Sequence, residues 1–382
     1  MADFIFKISP NIMLGTYLSS RLGQYAKDYA SRYMLIIDTA LQKTDIEAKL
    51  RTSLEESEID FFVYKEIPAT PDSSTLEKVL WLAREAKIRG VIAIGSDNTT
   101  NFGKAVAMFY YQKNDVYSYI DSKEFENDSL PLICLSTNLH DKFLFSNRVL
   151  VVDARNRKTV LLKTKKPVCN LIVIDPDYNI KNGEHQKFLD SMNCLNLAIE
   201  TYVSQKANFF SDMLIEKAVS LLAAGLKAED GLENNQTSSE LLSESGVLVS
   251  LAASASGYGA VSALSTVMQG RFQIDSSFST AILMSSFIED CSKSKLDKIA
   301  KISRMMNLST DADSEDQAKT NLLNYISELL SKNNIPSKLK SLSVAMEQLA
   351  SVAENAGSLD IIDGFHRSMN ADDLFELVKQ AY

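Results

Sequence analysis

The chain has 382 residues, 45% of them apolar and 23% charged, with a formal net charge of −9. That length exceeds one ordinary core and predicts two domains, and the apolar share excludes global disorder. The acidic balance, with no basic stripe interleaved with aromatics, excludes a nucleic-acid binder, which needs a basic face to displace counterions.

Leu18, Leu22, Tyr25 and Ala26 recur at helical spacing within residues 17–29, and residues 33–38 form an apolar run ending in an acid. Residues 43–57 read as helix, 60–64 as strand, and 73–87 as helix capped by Ser73 or Ser74. The apolar run of Val91, Ile92, Ala93 and Ile94 stops at Gly95. A polar turn follows, and Asn101 opens a helix reaching about residue 113. A strand is predicted at 131–135, a β-hairpin at 148–153 and 159–163, and a last strand at 169–174 closed by Asp175-Pro176-Asp177. Buried strands alternating with helices indicate a mainly parallel, Rossmann-like sheet covered on both faces. Beyond residue 184 only helical patterns remain: 186–203, 210–226, 239–254, 260–268, 277–290, 293–306, 316–332, 337–353 and 371–381, with Pro336 just before its helix. Stretches 228–237 and 310–314 read as loops. The expected organisation is an α/β domain over residues 1–179 followed by an all-α domain over 180–382.

Cys134, Cys169, Cys194 and Cys291 lie far apart without a Cys-x-x-Cys pair, which favours buried reduced thiols over zinc or disulfides. The start MADFIFKISPNIM lacks a long apolar core and does not read as a signal peptide. Residues 246–264 carry no charge but are rich in Ser, Gly and Ala, so they read as a buried helix and not a membrane span. Lys163, Lys165 and Lys166 read as a solvated edge. The expectation is a soluble, cytoplasmic protein with no nucleic-acid or membrane partner.

Strand, turn and helix around Gly95 form the unit that sets backbone N–H groups and a helix N-terminus beside a phosphate. Such a turn wants two or three glycines for close approach. Here only Gly95 remains, followed by Ser96, Asp97 and Asn98, and Asp97 puts negative charge where an anion would sit.

The order of these elements, with Gly15, Ile94-Gly95, Asn101-x-x-Lys104-Ala105, Val173-Ile-Asp-Pro176, Ala198-Ile-Glu-Thr-Tyr202, Asn208, Ser211-Asp212, Gly270, Phe272, Ala281-Ile-Leu-Met284, Arg367 and Asp373, resembles the iron-containing alcohol dehydrogenases, relatives of glycerol dehydrogenase and dehydroquinate synthase. The resemblance covers nearly the whole chain. It implies a cage of one Asp and three His around a divalent metal. The matching positions here are Asn193, Leu197, Ser262 and Ser276, with Thr266 where a further His lies near substrate. None is an imidazole or carboxylate, so no metal is expected and no catalytic residue is assigned.

On the cofactor side the resemblance implies NAD, with Asp38 accepting from the adenosine ribose; a strand-end Asp capping a turn explains the same residue. Gly95, Ser96, Asp97, Asn98 and Asn101 match the phosphate turn. Lys104 is read as reaching a phosphate or standing in solvent. Thr137 and Asn138 match the start of the family's Pro-Thr-Thr-x-Gly-Thr-Gly-Ser loop, whose two glycines are lost in the run to Lys142; this bulk and charge should weaken NAD binding. A relocated magnesium site at Asp190, Asn193 and Asp275 is weighed against Asp190 lying on the surface and Asp275 capping a helix. His140 is weighed as an acid–base group against a surface loop histidine. Ser-His-Asp chemistry has no elbow motif. The resulting expectation is a disabled or repurposed family member, forming homo-oligomers or associating with an intact relative. The alternative is an NAD-dependent oxidoreductase on a small alcohol or polyol with substitute residues.

Overall fold

The computed structural model describes residues 10–166, 168–181, 183–228 and 236–382, in two compact units spanning residues 1–181 and 182–382. The start of the chain and most of the expected 228–237 loop lie outside the described residues. The first unit begins β1 (Asn11–Leu14), α1 (Leu22–Ala26), β2 (Arg32–Ile37), α2 (Ile46–Glu56), β3 (Asp60–Tyr64) and α3 (Ser73–Glu85). It continues β4 (Gly90–Gly95), α4 (Asp97–Phe109), α5 (Val116–Ile120), β5 (Leu132–Ser136), β6 (Arg148–Val152), β7 (Thr159–Lys163), β8 (Leu171–Ile174) and α6 (Pro176–Lys181).

Six strands form one sheet in the order β1-β8-β5-β4-β2-β3, with every neighbouring pair parallel. β4, β5 and β8 are buried throughout, as continuous apolar runs require when both sheet faces are covered. On one face Tyr33, Leu35 and Ile37 of β2 and Ile92 and Ile94 of β4 pack against Leu22, Ile46 and Leu50 of α1 and α2. Each such Leu or Ile contributes about 1.5–3 kcal/mol by leaving water. On the other face α4 presses so close to β4 that a Cβ on Gly103 would lie 2.4 Å from the Ala93 Cβ. β6 and β7 pair antiparallel, Val152 opposite Thr159, and form the expected hairpin.

The second unit holds α7 (Gly183–Val203), α8 (Phe209–Lys227), α9 (Ser238–Ser256), α10 (Ala260–Phe272), α11 (Ser276–Met305), α12 (Glu315–Lys332), α13 (Met346–Gly357) and α14 (Ala371–Gln380). Its helices start on legible caps: Asn208 with Ser211, Thr237 with Glu240, and Asn370 with Asp373 form reciprocal capping boxes.

Several local expectations are corrected. β1, α5 and α6 escape sequence reading because each has only four to six residues, too few to show a period. Helix α4 starts at Asp97 and not at Asn101; Ser96 is its extended N-cap, and Asp97 complements the helix dipole. Asp72, not Ser73 or Ser74, caps α3 by accepting from the Thr75 N–H at 3.0 Å. Segments 277–290 and 293–306 are one helix broken at Lys295 (φ −136°, ψ 35°). The segment after Pro336 forms a 3-10 turn, Leu339–Leu342, then reverses at Ser343 (φ 60°) before α13 begins. Residues 246–264 are two helices, α9 and α10, bent by 101° about Gly257 (φ 87°). No single helix among the described residues is long and apolar enough to cross a membrane. All four cysteines are buried free thiols.

Candidate functional site

The strand order reverses between β2 and β4, since β2 leads outward to β3 while β4 leads to β5. Doubly wound sheets bind ligands beyond the C-terminal strand ends at such a point. Asp38 follows β2 there, Gly95 ends β4, and Ser96 comes next as the N-cap of α4. Gly95 has a φ of 148°, and a Cβ on it would lie 2.4 Å from the Asp38 Cβ. Glycine is therefore what admits the carboxylate. Asp38 Oδ2 accepts from the Ser96 N–H (3.3 Å), the Ser96 hydroxyl (2.8 Å) and the Thr99 hydroxyl (3.0 Å). Its Oδ1 accepts from the Ala40 N–H (3.0 Å), capping the 3-10 turn Thr39–Lys43.

The other residues expected around a cofactor bond to the protein itself. Asn98 donates to the Ala69 carbonyl at 3.2 Å. The Asn101 amide pairs with both backbone groups of Leu150, donating at 2.8 Å and accepting at 2.9 Å, and so fixes the hairpin to α4. Lys104 is neither at a phosphate nor in solvent: it is 2% exposed and donates to the carbonyls of Phe143, Ser146 (3.0 Å) and Arg148 (3.1 Å). Burial pushes its pKa down. Thr137 donates its N–H to the Gly95 carbonyl at 2.9 Å, and the Asn138 carbonyl accepts from the Ser136 hydroxyl at 3.2 Å.

In the loop after β5, His140, Asp141 and Lys142 are all buried. Asp141 accepts from the Thr100 hydroxyl at 2.6 Å and the Phe143 N–H at 2.9 Å. Burial holds its pKa up, against Thr100 and Lys104. His140 is not the surface histidine of the sequence reading. Burial, helped by Lys142, pushes its pKa down to about 3, and its Nδ1 has no partner. A general acid or base works best with a pKa near the ambient pH, so His140 does not fit that role near neutrality.

In the second unit Asn193, Leu197 and Glu200 share one face of α7. Asn193 Nδ2 donates to the Ser277 hydroxyl at 2.8 Å, tying α7 to α11, and its Oδ1 has no partner. Glu200 is fully buried and accepts from the Ser262 N–H (3.0 Å) and hydroxyl (2.5 Å), so a carboxylate of α7 caps α10. A Cβ on Gly259 would lie 2.4 Å from Glu200 Oε1. Leu197 is fully buried, Ser276 opens α11 behind its N-cap Asp275, and Thr266 is half-buried.

Residues 9–176 match the family model for iron-containing alcohol dehydrogenase, and residues 189–382 match the C-terminal model of the Fe-containing alcohol dehydrogenase family. The chain belongs to the iron-containing alcohol dehydrogenase family. It is 21% identical to 1,3-propanediol dehydrogenase of Citrobacter freundii over 98% of this chain and 97% of that protein. It is 17% identical to NAD-dependent methanol dehydrogenase of Bacillus methanolicus over 98% and 99%. The fold matches a crystal structure of 1,3-propanediol oxidoreductase with a TM-score of 0.89 at 19% identity, and the alcohol dehydrogenase of Oenococcus oeni with the same score and identity, each over 100% of both chains.

Iron-type chemistry needs imidazole, thiolate or carboxylate donors to replace lost hydration. The amide of Asn193, the isobutyl group of Leu197 and the hydroxyls of Ser262 and Ser276 do not fit a transition metal. Among the described residues no group of three or more His, Cys, Asp or Glu could hold one. The relocated site does not assemble either. Asp190 is buried, not on the surface, and accepts from Gln186 at 3.0 Å; Asp275 is exposed and caps α11 through the Ser277 N–H at 2.8 Å.

Thr99, Thr100 and Glu200 are site residues that sequence reasoning missed as functional groups. Starting α4 at Asp97 is the signal that finds the threonines, since it moves both hydroxyls into the first turn. Glu200 carried a signal too, as an acid one turn beyond Leu197 on an apolar helix face.

Proposed function

We propose that this protein is a member of the iron-containing alcohol dehydrogenase family that works without a metal and has left hydride transfer for a binding or assembly role. It acts in the cytoplasm as a homo-oligomer or in association with an intact relative, and NAD binds it weakly if at all. The observation that carries this reading is the chemistry of four positions, Asn193, Leu197, Ser262 and Ser276, where neutral and apolar groups replace donors. Two of those side chains are engaged in direct bonds, to Ser277 and to Glu200. Without a Lewis acid nothing on this face of α7 polarises an alcohol oxygen or lowers the pKa of its proton.

Elemental analysis of the purified protein, with and without iron(II) and zinc added during expression, tests the reading. It is run beside NADH-linked turnover of short alcohols, diols and their aldehydes. The expected result is less than stoichiometric metal and no turnover. Stoichiometric metal, or turnover with any of these substrates, would favour a working oxidoreductase instead. Size-exclusion chromatography with light scattering, alone and mixed with an intact family member, tests the assembly role.

A further inference from the structure

Hydroxyl and N–H donors at the start of a helix that follows a parallel strand are the groups a phosphate binds. Around α4 four such donors, one N–H and three hydroxyls, are already taken from two sides. Ser96 and Thr99 give theirs to Asp38, at 2.8 to 3.3 Å, and Thr100 gives its hydroxyl to Asp141 at 2.6 Å. Asp141 is 4% exposed, and its other oxygen is held by the Phe143 N–H. We propose that Asp38 and Asp141 are resident stand-ins for a phosphate: the chain closes its own nucleotide crevice with two carboxylates, and no phosphorylated ligand enters it. This deepens the reading above on the cofactor side and does not depend on the metal positions.

The charge balance supports the assignment. Asp97 opens α4, so an incoming phosphate would meet three carboxylates around one helix turn. Like charges brought together away from bulk water repel more strongly than at a surface. Lys104 is spent on three loop carbonyls and has no donor left to reach outward. The positive charges of Lys104 and Lys142 both favour the ionised form of Asp141.

Asp141→Asn keeps the side-chain shape while removing the charge and one of the two acceptor oxygens. Inorganic phosphate and NADH are titrated separately into the full-length wild type and this variant, with calorimetry and thermal shift as readouts. The wild type is expected to show no saturable binding of either. D141N is expected to bind phosphate at least about tenfold tighter than any wild-type response. Asp38→Asn, on the opposite side of the turn, carries the same expectation and replaces D141N if that variant fails to fold. Saturable binding by the wild type, or folded variants that gain nothing, overturns the proposal. Stoichiometric metal in a wild type that ignores both anions would defeat the functional reading alone; silent variants of a metal-free, inactive protein would defeat this inference alone.

Discussion

The Asp38 carboxylate takes both donors of Ser96, the backbone N–H at 3.3 Å and the hydroxyl at 2.8 Å. One side chain at the end of β2 thereby fixes the turn that starts α4, and with Thr99 and Ala40 it serves four donors. Asp38→Ala should cost about 2 kcal/mol, because several donors lose one acceptor and the 3-10 turn loses its cap. Ser96→Gly, which keeps the backbone bond, should cost less. Urea denaturation of both variants checks the order; equal losses would show that the carboxylate does not hold the turn.

Asn101 matches the backbone of Leu150 with one donor and one acceptor. Asn101→Asp keeps the size and the bond from the Leu150 N–H but turns the donor into an acceptor facing the Leu150 carbonyl. A loss of about 1–3 kcal/mol follows from two acceptors left in contact. Protection of the β6–β7 hairpin in hydrogen exchange should fall more than that of β4, which distinguishes a loosened hairpin from general destabilisation.

Lys104 satisfies three carbonyls that no other side chain is seen to serve together. Lys104→Met preserves the stem and removes the donors; the Phe143 carbonyl keeps the Ser146 N–H and hydroxyl, while the Ser146 and Arg148 carbonyls lose the ammonium. The expected cost is about 3 kcal/mol or more, read from chemical denaturation. A loss below ~1 kcal/mol would mean the loop from Phe143 to Arg148 re-pairs through water.

Acid should destabilise the protein partly through His140. Its folded pKa lies near 3, below the ordinary histidine value of about 6.5. The unfolded chain therefore takes up this proton first as pH falls. The stability contributed by the neutral ring is present above pH ~6.5 and is lost progressively between ~6.5 and ~3, with a slope up to ~1.4 kcal/mol per pH unit. Asp141, raised by burial, works the opposite way, since its folded form is the first to accept a proton. His140→Asn should flatten the acid-side fall of stability relative to wild type. An unchanged slope in pH-dependent denaturation would show that the ring is already accessible to protons.

Continuous apolar runs such as Val91–Ile94 declared the buried strands, and 3.6-residue spacing declared the helices of the second unit, because those periods are local properties of the chain. Short pieces such as α5 and α6 were not legible, since four to six residues hold no resolvable period. Helix starts shifted where a carboxylate just ahead of the predicted cap did the capping, as Asp72 does for α3.

The candidate site divides along the same line. The sequence by itself determined that Asn193, Leu197, Ser262 and Ser276 offer no imidazole or carboxylate, because donor chemistry belongs to the residue type and not to its surroundings. Only the tertiary structure decided the fate of the polar groups around α4. Lys104 turns inward because carbonyls about forty positions away are folded against it, and Asp38 faces Ser96 because β2 and β4, some sixty positions apart, end side by side. Hydrogen-bond partners at such separations are set by packing, and no local pattern encodes them.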